Sequence, residues 1–397
     1  MTGKRKRKLA MPDTLIIVAS VVLLVAILSW IIPSGTYDYQ EMNINGRIRN
    51  VAIDGTYHTI DKSEVTTTGF LGFFSVLYRG CVEAADVIFM ILCCCGTFGV
   101  VVKTGAFHAG IGTILKKLKG KEILLVPIIM MIFGLGGSVF GMASEFYGFY
   151  PLIVGLGVAL GYDAMFGFAI IAVGEFVGFM GATLNPYSVG IAQTISGVEL
   201  YSGTGYRAIC FVIFMAISII YVMIYGRKIK KNPGASVVFG EKNIHAFDRD
   251  ELNEYSFTLK DGLVLLDVLV VLVVLMLGLI KWGWDFPQLC GLFLLMSMIA
   301  AAICKWSPNK WCSEFIDSAK TAMWGCILTG IAKAITVVMQ DAQIMDTVIY
   351  GLSNVLKNAP HAVSAQVMLV VQTLINFFIP SATGQASATM PIMAQLA

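Results

Sequence analysis

The sequence predicts an all-α polytopic membrane protein of two inverted repeats, with re-entrant hairpins, discontinuous helices and a small external β-hairpin. Hydrophobic residues make up 57% of the chain and charged residues 13%, whereas soluble domains are about 25% charged. Several apolar stretches are long enough to cross a bilayer. The pattern Ser-x-x-Gly-x-Ala-Ser occurs at 138–144 and again at 381–387, each time at the end of an apolar run.

The N-terminal region predicts one span and a polar insert. The apolar stretch 14–32 follows a basic run, which indicates a transmembrane helix with a cytoplasmic N-terminus. The polar stretch 34–69 contains the turn pairs Asn45-Gly46 and Asp54-Gly55 between short β-prone runs, a pattern typical of β-hairpins. We therefore expect an external hairpin in this insert.

Three helices should follow, and then a hairpin. An amphipathic helix over 70–83 is expected at the interface, a span over 86–103 and a lysine-rich cytoplasmic surface helix over 104–121. Residues 122–160 are apolar but interrupted by glycine and serine. Since each arm is short for a full span, we expect a re-entrant hairpin; two full spans are the alternative.

The first half closes with a broken span. Residues 164–196 are too long for a plain helix and are interrupted at 181–186 by Gly-Ala-Thr-Leu-Asn-Pro, which predicts a discontinuous helix. Residues 206–226 should return to the cytoplasm, because a cluster of lysine and arginine follows them. The first repeat and the N-terminal span thus occupy 1–231.

The second half restarts the same plan. After a cytoplasmic linker at 232–260 and two spans at about 262–280 and 288–304, Ser313 begins an amphipathic stretch, a span, a surface helix and an apolar arm into Ser381. The first surface helix carries four lysines near its end, whereas its counterpart at 341–357 carries two aspartates and one lysine. That asymmetry favours repeats of opposite orientation.

The second repeat, 261–397, is expected to be incomplete at its C-terminus. In the first repeat the unwound segment around Asn185 lies 41 residues after Ser144, and no residue of this sequence stands at the corresponding place in the second. The residues from Pro391 to Ala397 are also too few for a return arm of about ten residues or more. We therefore expect the sequence to be a fragment that lacks part of its binding site.

Duplicated polar interruptions at membrane depth indicate a secondary transporter, because unwound backbone can bind a small ligand there. At the first tip the candidate ligands are Ser138, Gly141, Ser144 and Glu145. An ionisable group at this depth is a functional hypothesis by default, with pairing inside the protein as the alternative. The corresponding candidates of the second tip are Ser381, Thr383, Gly384 and Ser387.

The broken span adds further candidates. Glu175 precedes the break by about two turns and could face the same cavity or a packed helix contact. Thr183 and Asn185 offer oxygens suited to a substrate ammonium group or Na⁺, and Pro186 frees a backbone carbonyl. Ser188 could line the same place. No cofactor is expected, and Na⁺ or H⁺ is a possible coupling ion.

Charge favours a cationic or zwitterionic substrate. The sequence places two acids, and no arginine or lysine, near either tip. This argues against dicarboxylates, although helix N-termini and hydroxyl groups can also hold a carboxylate.

Other function classes find little support. The net charge of +3 gives no basis for nucleic-acid binding, and the cysteines and histidines lack metal-site spacing. A membrane-embedded enzyme would need a nucleophile motif or a metal cluster, which we do not find. A passive channel remains an alternative.

Three stretches resemble the YfcC-type carriers of the anaerobic C4-dicarboxylate carrier family, within the ion transporter superfamily: 136–151 (GGSVFGMASEFYGFYP), 181–190 (GATLNPYSVG) and 380–387 (PSATGQAS). The resemblance implies a multi-pass carrier of the bacterial inner membrane, two inverted repeats, an elevator-like displacement and a homodimer. It also implies cargo of two kinds, basic amino acids such as arginine and ornithine or C4-dicarboxylates. Glu145 and Glu175 favour the amino acids.

Overall fold

The computed structural model describes residues 12–44, 47–118, 122–240, 257–357 and 363–396. These residues are mostly helical. The first-half helices are α1 Thr14–Ile31, α2 Phe70–Glu83, α3 Ala85–Lys103, α4 Ala106–Leu118, α5 Leu125–Leu135, α6 Tyr150–Ala159, α7 Ala164–Met180, α8 Ile191–Ile195 and α9 Thr204–Lys231. Those of the second half are α10 Leu259–Lys281, α11 Phe286–Ile303, α12 Pro308–Lys320, α13 Met323–Asp341, α14 Met345–Lys357, α15 Ser364–Phe378 and α16 Ala382–Leu396.

Six of these helices are long and apolar enough to cross a membrane: α1, α3, α9, α10, α11 and α13. They coincide with the six uninterrupted spans that the sequence predicts, to within a few residues at most ends. The helix over 70–83 is also confirmed, residue for residue. The linker expected at 232–260 falls largely on 241–256, outside the described residues.

The polar insert forms the predicted β-hairpin. Strands β2, Tyr39–Ile44, and β3, Arg47–Ala52, pair with each other, and the expected turn at 45–46 lies outside the described residues. A second small sheet joins β1, Gly35–Thr36, antiparallel to β4, His58–Thr59.

Asp346, in the first turn of α14, anchors this insert. Its carboxylate accepts hydrogen bonds from Tyr37 N at 3.0 Å and from the Tyr39 hydroxyl at 2.8 Å, and the Tyr57 ring stacks on Tyr350. Burial, with Asp346 nearby, raises the pKa of Tyr39. The phenol therefore remains a donor to the carboxylate, and the insert is fastened to a helix of the second half.

Both predicted interruptions of the first half are present. Helix α5 continues as a π turn over Gly136–Phe140, the helix stops at 141–143, and a 3-10 turn over Ser144–Phe149 leads into α6. Helix α7 ends at Met180, and a π turn over Pro186–Gly190 leads into α8. Helices α5 and α6 both pack against α7, so the two interruptions belong to one packed group.

The second copy of the motif differs from this expectation. The chain leaves helical geometry only at 379–381, and α16 then runs through the rest of the motif. Ser381 accepts the Gly384 N–H through its hydroxyl at 3.2 Å, as an N-cap does. The expectation that too few residues remain for a second arm was therefore wrong, because this arm starts inside the motif rather than after it.

The chain divides into two compact units, which cut across the predicted repeats. One unit comprises Met1–Met42, Arg49–Ala85 and Trp324–Ala397, and the other comprises Asn43–Ile48 and Asp86–Met323. The larger core, in the second unit, is built around α5, α7, α9, α10 and α11. The repeat boundaries remain a prediction, as does the inversion of the repeats.

In each unit, an amphipathic helix from one predicted repeat packs on a membrane span from the other predicted repeat. In the first unit, a Cβ on Gly80 of α2 would lie 2.4 Å from Gly330 O of α13. In the second, a Cβ on Gly99 of α3 would lie 2.1 Å from the Ser318 side chain of α12. Ion pairs close both contacts, Arg79 with Asp341 and Lys103 with Glu314.

Candidate functional site

Ser138 and Thr183 join the two interruptions of the first half. The fully buried Ser138 hydroxyl donates to Gly181 O at 3.0 Å and lies 3.1 Å from the Thr183 hydroxyl. Thr183 N donates to Ser138 O at 2.9 Å. Because helix ends leave backbone groups without intrahelical partners, these bonds let each interruption satisfy the other.

Asn185 completes the connection. Its side-chain Nδ2 donates to Gly137 O at 3.0 Å, while its Oδ1 accepts the N–H groups of Tyr187 at 2.9 Å and Ser188 at 3.1 Å. This is N-cap geometry, with Pro186 at the first helical position. Both lone pairs of Oδ1 are engaged. A Na⁺ ion at Asn185 remains a prediction, and it would have to displace one of these bonds.

Gly141 is the residue that allows the close approach. Its φ is +68°, and a Cβ there would lie 2.6 Å from Asn185 Oδ1. The left-handed backbone and the lack of space both require glycine. Gly141, predicted as a site residue, thus has a structural role as well: it lets Asn185 approach the first tip.

Four glycines bring the backbones of α5 and α7 together. A Cβ on Gly178 would lie 2.2 Å from Gly134 O, and one on Gly174 would lie 2.9 Å from Met130 O. In the π turn that continues α5, a Cβ on Gly137 would lie 2.7 Å from Glu175 O. The spacing of Gly174 and Gly178 is the small-xxx-small pattern of membrane helix contacts.

The two predicted acids lie beside this group. Glu145 is 8% exposed and accepts the Ala143 N–H at 2.9 Å. Glu175 is 4% exposed and accepts the Tyr150 hydroxyl at 3.2 Å. Within the described ranges, neither carboxylate has a lysine, arginine or histidine within ion-pair distance. Among the described residues, these two buried acids thus accept hydrogen bonds from neutral donors only.

Two hydroxyl candidates of the first half are more loosely defined. Ser144 begins the 3-10 turn after the first tip and is half-buried. Ser188 has a buried hydroxyl oxygen for which the described part of the chain supplies no hydrogen-bond partner. A buried hydroxyl without a partner carries a desolvation cost, so Ser188 has capacity left for a ligand.

Sequence reasoning missed Arg207, and the prediction that no arginine or lysine lies near either tip was wrong. Arg207, in the first turn of α9, donates from Nη2 to Thr183 O at 3.1 Å. Arg207 lies 24 positions after Thr183 in the sequence and on another helix, and its long side chain reaches the Thr183 carbonyl. The sequence signal that could have pointed to Arg207 is its place directly after the polar loop before α9.

A second missed residue is Asp267, within α10. Its Oδ2 is buried and has no hydrogen-bond partner among the described residues. An acid inside a membrane span is a functional candidate by default, and it could have been found by inspecting this single charge in the run 262–280.

The second group of candidates belongs to the other unit. Ser381 is exposed, and the Ser387 hydroxyl donates to Thr383 O one turn earlier at 2.9 Å. The arms α15 and α16 are joined instead by residues that sequence reasoning did not single out: Gln385 donates to Gln372 O at 2.9 Å, and Gln372 donates to Thr389 at 3.2 Å. No described segment packs on this motif as 181–185 packs on the first.

The second unit also contains a cavity of 220 Å³ between α3, α12 and the start of α6. Its walls are largely apolar, with Lys103, Asp317 and Ser318 among the polar residues. None of the predicted site residues lines it, so the cavity gives no support to the predicted site.

Comparison with known proteins points to one family. The family model described as C4-dicarboxylate anaerobic carrier, DcuC, matches residues 11–397. The chain is 31% identical over 429 residues to YfcC of Escherichia coli K12, whose name gives basic amino acid antiport as a proposed activity; the match covers 99% of this chain and 84% of that protein. An uncharacterized Haemophilus influenzae protein is 28% identical over 437 residues, covering 100% of this chain and 85% of its own length.

Two solved transporter structures show a weaker likeness. The YdaH transporter of Alcanivorax borkumensis gives a TM-score of 0.44 at 13% identity, covering 97% of this chain and 83% of its own. MtrF of Neisseria gonorrhoeae, described as an antimetabolite efflux pump, gives 0.46 at 15% identity, covering 98% and 81%. At these scores the likenesses carry no argument about the site.

Proposed function

Because the chain belongs to the C4-dicarboxylate anaerobic carrier family, we propose that it is a secondary active transporter that exchanges or imports basic amino acids of the arginine and ornithine type. The matching family is one of carriers rather than enzymes, and the apolar helices make this chain a multi-pass membrane protein. Placement in the bacterial inner membrane with a cytoplasmic N-terminus, and assembly as a homodimer, belong to the proposal.

The observation that carries the proposal is the pair Glu145 and Glu175. Two buried carboxylates without a cationic partner among the described residues are costly unless a task requires them. A cargo with an ammonium or guanidinium group would supply the missing charge through charge-assisted hydrogen bonds. Basic amino acids carry two such groups. The proposed activity of the YfcC relative supports the same cargo class.

Exchange of C4-dicarboxylates is the second candidate. The description of the matching family favours it, and so does the guanidinium of Arg207 at the broken span, because arginine suits carboxylate recognition. Two carboxylates on the protein oppose it, since a dianion would be repelled by both. In either case, Na⁺ or H⁺ coupling is a prediction that imposed ion gradients can test.

The test uses the protein in proteoliposomes with labelled arginine outside and ornithine, aspartate or succinate trapped inside. Stimulation by internal ornithine is the expected result. Absence of arginine uptake beside clear succinate exchange would contradict the proposal and select the dicarboxylates. Counterflow would also separate a carrier from a passive channel, which gives no stimulation by any internal solute.

Glu145→Gln tests the role of the acid at the first tip. The amide oxygen can still accept the Ala143 N–H, so insertion and folding should persist, whereas uptake should fall about 100-fold, or about 2.7 kcal/mol. The matched control is Glu199→Gln, since Glu199 is an exposed acid in the loop between α8 and α9. Normal uptake by the Glu145 variant would remove Glu145 from the site.

A further inference from the structure

The hydrogen bonds that Arg207 makes to other described residues all go to neutral acceptors. Its Nη1 donates to Ser202 O at 2.7 Å, and its Nη2 donates to Thr183 O at 3.1 Å and to the Thr204 hydroxyl at 3.2 Å. Two of these acceptors belong to the turn around the start of α9, and the third is a carbonyl of the broken span. The guanidinium is thereby held at the interruption.

The charge of Arg207 is not balanced locally. Among the residues that the structure describes, no carboxylate lies within ion-pair distance of Arg207, and its buried Nε has no acceptor. Arginine that is taken out of water is normally paired with a carboxylate or phosphate, often through two parallel hydrogen bonds. A half-buried guanidinium with only neutral partners has capacity for an anion.

Arg207 is connected to the candidate site through a single residue. Thr183 accepts from Arg207 at its carbonyl oxygen, and its N–H and hydroxyl contact Ser138 of the first tip. The guanidinium of Arg207 is therefore hydrogen-bonded to the same packed segments, the first tip and the broken span with its helix α7, that carry Glu145 and Glu175. In a medium of low dielectric constant, charges at such a site act on a ligand beyond direct contact.

We propose that Arg207 is a specificity-determining residue that supplies the counter-charge for a carboxylate of the cargo. The inference rests on the proposed function, in that the first tip and the broken span form the cargo site. The acids would then select the cationic end of an amino acid, while Arg207 selects its carboxylate. A site with one cation and two acids matches a basic amino acid in the number and sign of its charges.

The test compares arginine with agmatine, which keeps the guanidinium and the amine but lacks the carboxylate. Each competes against labelled arginine in proteoliposomes of the wild type and of the variants Arg207→Lys and Arg207→Gln, with Arg227→Gln on the exposed part of α9 as control. The wild type and the control should prefer arginine by about 30-fold or more. The glutamine variant should lose most of that preference, and the lysine variant should keep part of it.

A purely structural role for Arg207 gives a different result. If Arg207 only braces Thr183 against α9, its variants would weaken arginine and agmatine equally and leave their ratio unchanged, which would overturn the inference. Ligand-induced thermal stabilisation of the purified protein gives the same ratio without transport. It also identifies a variant that fails to fold, and the lysine variant, which keeps a donor and a charge, then decides the question.

Failure of the proposed function is recognised separately. If wild-type protein exchanges succinate and not arginine, the amino-acid cargo is wrong, and the same variants are compared on succinate and its monoamide. Loss of discrimination between these two in Arg207→Gln would keep the inference, and unchanged discrimination would reject it. If neither cargo class binds, both proposals fall.

Discussion

The two copies of Ser-x-x-Gly-x-Ala-Ser have four identical residues in common but take different backbone conformations. In the first, Ser138 is fully buried and Gly141 has a φ of +68°. In the second, Ser381 is exposed and caps α16, with Gly384 inside the helix. The difference lies in the surroundings, because Thr183 and Asn185 pack on the first copy. A motif of small residues permits unwinding, and a docked partner segment brings it about.

The glycine pair gives the largest expected difference. Gly141→Ala should destabilise the protein by about 3 kcal/mol or more, because it combines a strained left-handed backbone with overlap on Asn185. Gly384→Ala should be neutral or stabilising by up to about 1 kcal/mol, since alanine favours helix and the nearest atom to its Cβ would be 3.5 Å away. Thermal unfolding in detergent measures both. Equal losses would contradict the comparison.

Asn185 tests the partner segment itself. Asn185→Ala removes one donated and two accepted hydrogen bonds and should cost about 2 kcal/mol. Gln385→Ala, which removes the link between α15 and α16, should cost about 1 kcal/mol. Transport should fall with the first change more than with the second. A smaller loss for Asn185 than for Gln385 would show that the segment does not hold the first copy in place.

The serine pair should give a smaller contrast. Ser138→Ala removes the buried hydroxyl that bonds Gly181 O and the Thr183 hydroxyl, while Ser138 O still accepts from Thr183 N, and should cost about 1–2 kcal/mol. Ser381→Ala removes an exposed cap and should cost about 0.5–1 kcal/mol. Urea or thermal unfolding midpoints of the two purified variants provide the measurement. A larger loss of stability for Ser381→Ala would contradict the conclusion that Ser138 is the serine with the stronger buried contacts.

The smallest effects are expected at the two ion pairs that join an amphipathic helix to a membrane span, one pair in each unit. Arg79→Gln and Lys103→Gln each remove one partly exposed ion pair, so each should cost about 0.2–1 kcal/mol, less at high salt. The two losses should be similar in size, because the pairs close corresponding contacts. A loss confined to one variant would argue against the reciprocal packing of α2 and α12.

Much of the fold could be predicted from hydropathy and from the positions of helix-breaking residues. Residues 70–83 fold as the amphipathic pattern indicates, and the interruption at 181–186 falls where glycine and Asn-Pro disfavour an uninterrupted helix. Asn185 was predicted as a ligand, whereas Asn followed by Pro is also the signal of a helix start, and the structure shows that second role. The start of α16 was missed for the same reason, because Ser381 was considered as a ligand and not as a cap.

The site could be predicted only in part, because its partners come from distant places in the chain. Local patterns indicate Ser138 and Glu145, but the bond from Arg207 to Thr183 depends on how α9 packs beside α7. Long side chains that reach across helices leave no periodic signal in a single sequence. Gln372 and Thr389 were missed for the same reason.

The contact between Gly134 on α5 and Gly178 on α7 limits how this molecule can work. With backbones this close, and no side chain between them, the two helices cannot slide past each other without a clash. The two helices are therefore expected to move together in any rearrangement of this unit. The first tip and the broken span, which lie at the ends of these helices, would then keep their hydrogen bonds to each other.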